Sequence, residues 1–267
     1  MTLTNAQTNT AAGALIEAEA ERRQIGLLSR DYPDMTLDDA YAIQAAHMQR
    51  KLAAGRTILG WKIGLTSKVM QDALGISTPD SGVLYDDMCF ADGANIPDTR
   101  FIQPRVEVEI AFVLKAPLVG DVSYEDVLAA TDYVVPAIEI LDTRILRQDP
   151  ETGQPRRITD TVSDNAADAG FVVGKARHAP EAFDLRWVGA IVKKNDETVA
   201  TGLGAAILDD PVTGLVWLAR RMQTYGQHME AGQTILAGSF ISPIECPPGT
   251  AIHADFGSFG HVGLDFE

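Results

Sequence analysis

The chain has 267 residues, 46% of them hydrophobic, enough to bury a substantial core in one large domain or a domain with an appendage. A net charge of -15 at pH 7 argues against a general nucleic-acid binder, because displacing counterions from a phosphate backbone requires a basic surface. No stretch approaches the roughly 18 apolar residues of a membrane span, and residues 1–13 lack the basic end and apolar run of a secretory signal, so a cytoplasmic protein is expected.

Two helices are expected first. Over residues 11–29, Leu15, Ile16, Ala20, Ile25 and Leu28 recur at loosely helical spacing, with Glu17, Glu19 and Glu21 ahead of Arg22 and Arg23 as a helix dipole prefers. A second helix follows the cap signal Thr36-Leu37-Asp38-Asp39 and ends at Gly55; His47 within it reads as a packed histidine. Beyond residue 56, short runs rich in Val, Ile, Phe and Gly between Pro, Asp and Gly predict a predominantly β region. Strands are expected at 58–65, 105–114, 133–141, 170–173, 188–193, 234–235 and 251–256. Helices return at 123–130, behind the cap Ser123-Tyr124-Glu125-Asp126, and at 211–225, where Val212, Leu215, Val216, Leu218 and Ala219 form an apolar stripe. The fold class is therefore α+β, with an N-terminal helical part (1–56) followed by a domain built on a curled mixed β-sheet (57–267). Cys89 and Cys246 lie far apart and read as small buried hydrophobes of a reducing compartment.

The main chemical signal is Arg105-Val106-Glu107-Val108-Glu109-Ile110-Ala111-Phe112. Strand alternation puts Val106, Val108, Ile110 and Phe112 on one face and Glu107 and Glu109 on the other, about 6.5 to 7 Å apart at the backbone. Like charges among apolar neighbours are costly unless a proton or a cation neutralises them. From this segment alone, an ordinary solvent-facing acidic strand reads equally well. Glu139 changes the balance: in Val134-Val135-Pro136-Ala137-Ile138-Glu139-Ile140-Leu141 every near neighbour is apolar, so this carboxylate is expected inside, where it needs a partner. Three convergent carboxylates make a hard oxygen site suited to Mg²⁺ or Mn²⁺, whereas zinc would want histidine or cysteine.

In Gly60-Trp61-Lys62-Ile63-Gly64-Leu65-Thr66-Ser67, Lys62 stands between two glycines that leave room beside its ammonium. Such a lysine can transfer protons or neutralise a substrate carboxylate; the same pattern also reads as a surface lysine on a strand with turn glycines. Asp80, in Ser77-Thr78-Pro79-Asp80-Ser81-Gly82, reads as a loop acid beside the site or a turn former. Arg144, Arg147, Arg156 and Arg157 bracket the loop Asp149-Pro150-Glu151-Thr152-Gly153 and either clamp a distal carboxylate or are solvated. Ser163 and Asn165, with Asp164 between them, form a polar turn that can line a pocket, and Gly238 offers a backbone amide to an anion.

Taken together, Gly60-Trp61-Lys62-Ile63-Gly64-Leu65-Thr66-Ser67, Pro104-Arg105-Val106-Glu107-Val108-Glu109, Ala137-Ile138-Glu139 and Ser163-Asp164-Asn165-Ala166-Ala167 resemble the hydratase and decarboxylase branch of the fumarylacetoacetate hydrolase superfamily. The likeness runs from the N-terminal helices through Gly238-Ser239-Phe240. It implies the superfamily's fold, Mg²⁺ or Mn²⁺ on Glu107, Glu109 and Glu139, and Lys62 and Asp80 in the catalytic positions; Ser163, Asn165, Arg156 and Gly238 are expected at the substrate from their own chemistry, Arg156 by its charge alone. It also implies a homo-oligomer, an unsaturated 2-oxo acid as substrate and a possible complex with a related pathway enzyme. The stretch Asp149-Pro150-Glu151-Thr152 followed by Pro155-Arg156 resembles members that hydrate 2-oxo-hept-3-ene-1,7-dioate in homoprotocatechuate degradation. The rival expectations are decarboxylation of 2-oxo-hex-3-enedioate (4-oxalocrotonate) and a non-catalytic partner subunit. The histidine–glutamate pair with which the superfamily's carbon–carbon hydrolases activate water is not identifiable in the sequence.

Overall fold

Residues 1–67, 71, 76 and 78–267 are described by the structure, a computed structural model. Helix α1 (Asn5–Glu21) starts earlier than apolar spacing suggests, because Thr4 and Gln7 close a reciprocal capping box that satisfies the first free amides. It also stops earlier: Arg22 turns left-handed at φ 51°, and only a short α2 (Leu28–Asp31) follows. The single helix expected over 11–29 is therefore two. Helix α3 (Leu37–Ala53) is capped by Thr36 and Asp39 as its sequence signal requires. Ala11, Ala12, Leu15, Leu28 and Ile43 of these helices share a small core with Ile145 and Val162 from much later in the chain. His47 is buried within α3. Cys246 is buried as expected, but Cys89 is exposed.

The strands form two mixed sheets rather than one. The larger runs β2 (Asp80–Tyr85), β1 (Ile58–Gly64), β10 (Thr234–Ser239), β5 (Arg105–Leu114), β6 (Thr131–Leu141), β7 (Asp168–Val173) and β3 (Cys89–Phe90), with β11 (Ile244–Glu245) also on β5. In it β1 pairs with β10, and β3 with β7, in parallel, while the other pairs are antiparallel. The second sheet runs β4 (Ala94–Ile96), β13 (His261–Phe266), β12 (Thr250–Asp255), β8 (Gly189–Lys194) and β9 (Glu197–Leu203). Val106, Val108, Ile110 and Phe112 of β5 and Val134, Ile138 and Ile140 of β6 are fully buried in the main core. Helices α4 (Tyr124–Ala130), α5 (Ile158–Ser163) and α6 (Pro211–Gln223) are the other α-helices among the described residues. Asp210 caps α6, whose Gly214 lets it approach Ile63 and Ala237 on the sheet.

One contact shows how far the large sheet curls. In a flat sheet β1 and β6 would stand three strand spacings apart, about 14 Å. Yet Lys62 Nζ on β1 lies 3.0 Å from Glu139 Oε1 on β6. The side chains at these positions therefore point to the concave side, where curvature brings strand centres within side-chain reach.

Candidate active site

Each strand from β2 to β7 along the large sheet contributes one or more groups to this concavity. Glu107 and Glu139 face each other in register across β5 and β6, and Glu109 follows on the same face. Ligand oxygens of the three carboxylates lie within 4.8 Å of one another. Glu109 and Glu139 have no exposure and Glu107 is half-buried, which removes the reading of a solvent-facing acidic strand. Glu109 Oε1 and both Glu139 carboxylate oxygens lack a hydrogen-bond donor among the described residues, although buried oxygens of this kind are rarely left so. Lys62 touches Glu139 as an ion pair and not as an aligned hydrogen bond.

Charge follows geometry. Burial and the neighbouring Glu139 push the Glu107 carboxyl up to about 8, with Lys62 pulling in the opposite direction. Burial, then Glu139 and Glu107, raise Glu109 well above the usual range, partly offset by the Gly238 amide. Two carboxyl groups that resist ionising beside a third, with orphaned oxygens of Glu109 and Glu139 at the point where all three meet, fit a hard divalent cation. For Lys62 burial opposes the charge, but Glu139, Asp80, Asp168 and Glu107 together outweigh it and raise its proton affinity.

The second set of groups is built by close backbone approaches. Asp80 is the first residue of β2 and pairs with Gly64, so it is a strand residue and not the expected loop acid; Ser77 of that loop lies outside the described residues. A side chain at Gly64 would overlap Asp80 Oδ1 and come within 3.0 Å of Lys62 Nζ. The space beside Gly64 is thus filled by the acid–ammonium pair itself. Gly60 differs again from expectation: a Cβ there would overlap the Thr234 carbonyl, so this glycine admits the β10 backbone and leaves no ligand space. Burial raises the Asp80 carboxyl, Lys62 lowers it, Glu139 raises it and Arg156 lowers it.

Gly238 occupies a bulge in β10, where the register with β5 shifts between Leu236 and Ser239. Its φ of 117° is open to glycine and hardly to other residues, and Thr66 fills the space where a Cβ would stand. The freed amide donates to Glu109 Oε2 at 2.8 Å, so the anion it holds is a protein carboxylate.

Ser163 and Asn165 also spend their side chains on the protein. Ser163 Oγ donates to the Thr159 carbonyl at 2.8 Å inside α5. Asn165 bonds both backbone groups of Val83, accepting from its amide at 2.8 Å and donating to its carbonyl at 3.0 Å. Asn165, Ala166 and Ala167 are all left-handed, with φ of 51°, 53° and 62°. This conformation costs a non-glycine residue roughly 1–2 kcal/mol, so the surroundings must hold it. Arg144 is one of the holders: it donates to Asp164 Oδ1 at 2.6 Å and to the carbonyls of Asp142, Asp164 and Asp168. Of the arginines near residue 150, this one is buried in structural bonds, and Arg157 donates to the Pro33 carbonyl. Arg144→Lys, which keeps the charge but cannot span four acceptors, should lower unfolding stability by roughly 3 kcal/mol. Chemical denaturation measures it, and an unchanged midpoint would contradict this role.

The strained turn delivers Asp168, a residue the sequence reading passed over. Asp168 is buried, both its carboxylate oxygens lack a partner among the described residues, and burial with Glu139 raises its carboxyl well above the usual range against Lys62 and Arg144. The signal was the one used for Glu139: a lone acid in the small and apolar run Ala166-Ala167-Asp168-Ala169-Gly170-Phe171.

Known proteins are similar to this chain almost end to end. No family model matches it. The chain is 48% identical over 256 residues to a 2-oxo-hept-4-ene-1,7-dioate hydratase of Escherichia coli, covering 96% of each. Its structure superposes on 4-oxalocrotonate decarboxylase from Pseudomonas putida G7, complexed with magnesium and adipate, with a TM-score of 0.93 and 35% identity over 100% of this chain and 99% of that one. A fumarylacetoacetate hydrolase from Exiguobacterium antarcticum shares the fold alone, at TM-score 0.59 and 18% identity over 79% of this chain and 75% of that one. With relatives this similar over nearly their whole length, on a fold shared with fumarylacetoacetate hydrolase, the chain belongs to the hydratase and decarboxylase branch of the fumarylacetoacetate hydrolase superfamily.

Proposed function

We propose that the protein is a divalent-metal-dependent hydro-lyase that converts 2-oxo-hept-3-ene-1,7-dioate to 4-hydroxy-2-oxoheptanedioate in the breakdown of homoprotocatechuate and 4-hydroxyphenylacetate. The observation that carries this reading is the meeting of Glu107, Glu109 and Glu139 beside a buried Lys62–Asp80 pair. The likeness to the E. coli hydratase supports the diacid substrate. That relative's name places the double bond at C4 and this reading places it at C3, but both are keto forms of one 2-hydroxy-2,4-dienoate. Only the 3-ene is conjugated with the oxo group and electrophilic at C4.

Glu107, Glu109 and Glu139 would hold Mg²⁺ or Mn²⁺, which supplies Lewis-acid stabilisation for negative charge on the 2-oxo oxygen. The Gly238 amide fixes one oxygen of Glu109 and so presents the other to the concavity. Lys62 and Asp80 move the protons: hydration places the hydroxyl of water on C4 and a proton on C3. Asp80, kept toward its neutral form by burial, is suited to donate, and the adjacent ammonium supports the charge when it does. Asn165 and Ser163 serve the site by holding β2 and α5 in place, and Arg156 faces the substrate. Assembly as a homo-oligomer, a cytoplasmic setting and association with a related pathway enzyme belong to the same reading; no helix among the described residues is long and apolar enough to cross a membrane.

The test is dienoate loss followed by ultraviolet absorbance with Mg²⁺, Mn²⁺ or chelator, and product mass. Expected are metal-dependent turnover, abolished by chelator, and a product heavier than the keto substrate by one water. Release of CO₂ from 2-oxo-hex-3-enedioate without hydration would make it a decarboxylase, a rival supported by the superposition on the P. putida enzyme. Metal binding without turnover would make it a partner subunit.

A further inference from the structure

Two arginines near the carboxylate cluster have no direct ion-pair partner among the described residues, although Asp142 and Glu245 lie near Arg147, and Asp164 and Asp160 near Arg156. The segment after β6 folds into a small hairpin in which the Arg156 amide donates to the Arg147 carbonyl at 3.0 Å and Gln148 bridges Pro155. Arg147 and Arg156 are therefore directly opposite each other and their side chains leave the same face. Like charges so placed repel, and these two are half-buried as well. Neither makes an ion pair among the described residues, and Arg147 Nη2 and Arg156 Nη1 are shut away from water without a hydrogen-bond partner. Burial above all, and then the neighbouring guanidinium groups, weaken the proton hold of both; Arg105, the third of these groups, is itself ion-paired with Glu245 and lends the cluster its charge from behind.

The hairpin is held from outside. At its tip, Asp149 Oδ1 accepts the amides of Glu151 and Thr152, and Arg30 clamps Asp149 and Glu151. The tip acids are thus neutralised by Arg30, leaving Arg147 and Arg156 at the base without an ion pair among the described residues.

The cluster adjoins the site. Arg105 is two residues before Glu107 on the same strand face, about 7 Å along β5. Arg156 lies near enough to Asp80 to favour its ionised form. A ligand whose oxygens meet at the three glutamates would therefore project its far end toward the arginines. Arg144 has no part in this, since its donors are already taken.

We propose that Arg147 and Arg156, with Arg105 behind them, form the receptor for the distal carboxylate and set a preference for dicarboxylic over monocarboxylic 2-oxo acids. The assignment rests on the reading of the preceding section for the near end of the ligand. A planar guanidinium pair offers parallel N–H donors that match a carboxylate, and the anion removes the repulsion that the empty pair suffers.

The experiment compares kcat/KM for the seven-carbon dienedioate with that for 2-hydroxypenta-2,4-dienoate, which lacks the distal carboxylate, in wild type, Arg147→Met, Arg156→Met and Arg156→Lys. The ratio of diacid to monoacid should collapse about a hundredfold in each Met variant, chiefly through KM, and recover in part in Arg156→Lys. A ratio within about threefold of wild type in both Met variants overturns the assignment. If the wild type hydrates neither compound, the hydratase reading fails, and calorimetry on Mn²⁺-loaded protein with 2-oxoheptanedioate and 2-oxoheptanoate still decides the arginines. Tighter binding of the diacid, lost in the Met variants, sustains the assignment; equal binding of the two acids ends it. Should a Met variant fail to fold, Arg156→Lys and Arg147→Lys carry the same comparison, and an unaltered ratio in both refutes it.

Discussion

Glu109→Gln is expected to weaken Mn²⁺ binding by at least about a hundredfold and to lower kcat/KM by about a thousandfold, without loss of the fold. The expectation follows from what each oxygen of Glu109 does. Oε2 accepts the Gly238 amide, and a glutamine carbonyl can accept the same bond in the same volume. Oε1 has no donor among the described residues and shares its space with the oxygens of Glu107 and Glu139; the amide that replaces it is a donor and a poor ligand. In chelator the variant should melt no lower than wild type, because one of three crowded buried carboxyl groups is gone. Calorimetric titration with Mn²⁺, dienoate turnover and melting in chelator measure the three effects separately. Wild-type metal affinity would remove Glu109 from the ligand set, and a collapsed melting temperature would assign it to the scaffold instead.

Lys62→Met should give the second large effect, with a different signature. Metal binding is retained, since lysine is no ligand, while kcat falls by about 10²–10⁴ for loss of a positioned proton-transfer group. Lys62 is also the cation nearest Glu139, with Asp80 and Asp168 around it and almost no exposure. Removing one partner of a buried pair typically costs about 3–5 kcal/mol, so the variant should be clearly less stable in chelator. Added Mn²⁺ should restore much of that stability but not the rate, because the cation replaces the charge and not the proton carrier. A variant with kcat within about tenfold of wild type would leave Lys62 a counter-ion only. The two substitutions thus separate a residue that holds metal from one that moves protons.

The origin of these groups explains which of them could be read early. Glu107 and Glu109 were legible because strand alternation has a period of two, and β5 was bounded correctly at Arg105–Leu114 by its own composition. Glu139 was legible because an acid among apolar residues is expensive and demands a cause. Asp168 answered to the same reasoning but was passed over beside the polar turn that precedes it. Asp80 was found as an acid but misplaced, since Thr78-Pro79-Asp80-Ser81-Gly82 has turn chemistry and becomes strand only by pairing with β1. The roles of Gly60, Gly64 and Gly238 differed in kind from expectation: each glycine marks a close approach, and what approaches is decided by a strand or side chain distant in sequence.

By itself the sequence determined the α+β class, the two long central strands, the caps of α3 and α4, the apolar stripe of α6, and the three carboxylates with their demand for a cation. These depend on local periodicity, on cap chemistry within one turn, and on the cost of burying charge, all of which are written in neighbouring residues. Tertiary structure alone decided that Lys62 reaches Glu139 across three strand spacings, that Gly238 turns its amide to Glu109, and that Arg144 is sealed into backbone contacts while Arg147 and Arg156 face each other with no ion pair among the described residues. Those facts depend on sheet curvature, one bulge and one hairpin register, which are sums over many strand pairings and which no window of the chain contains.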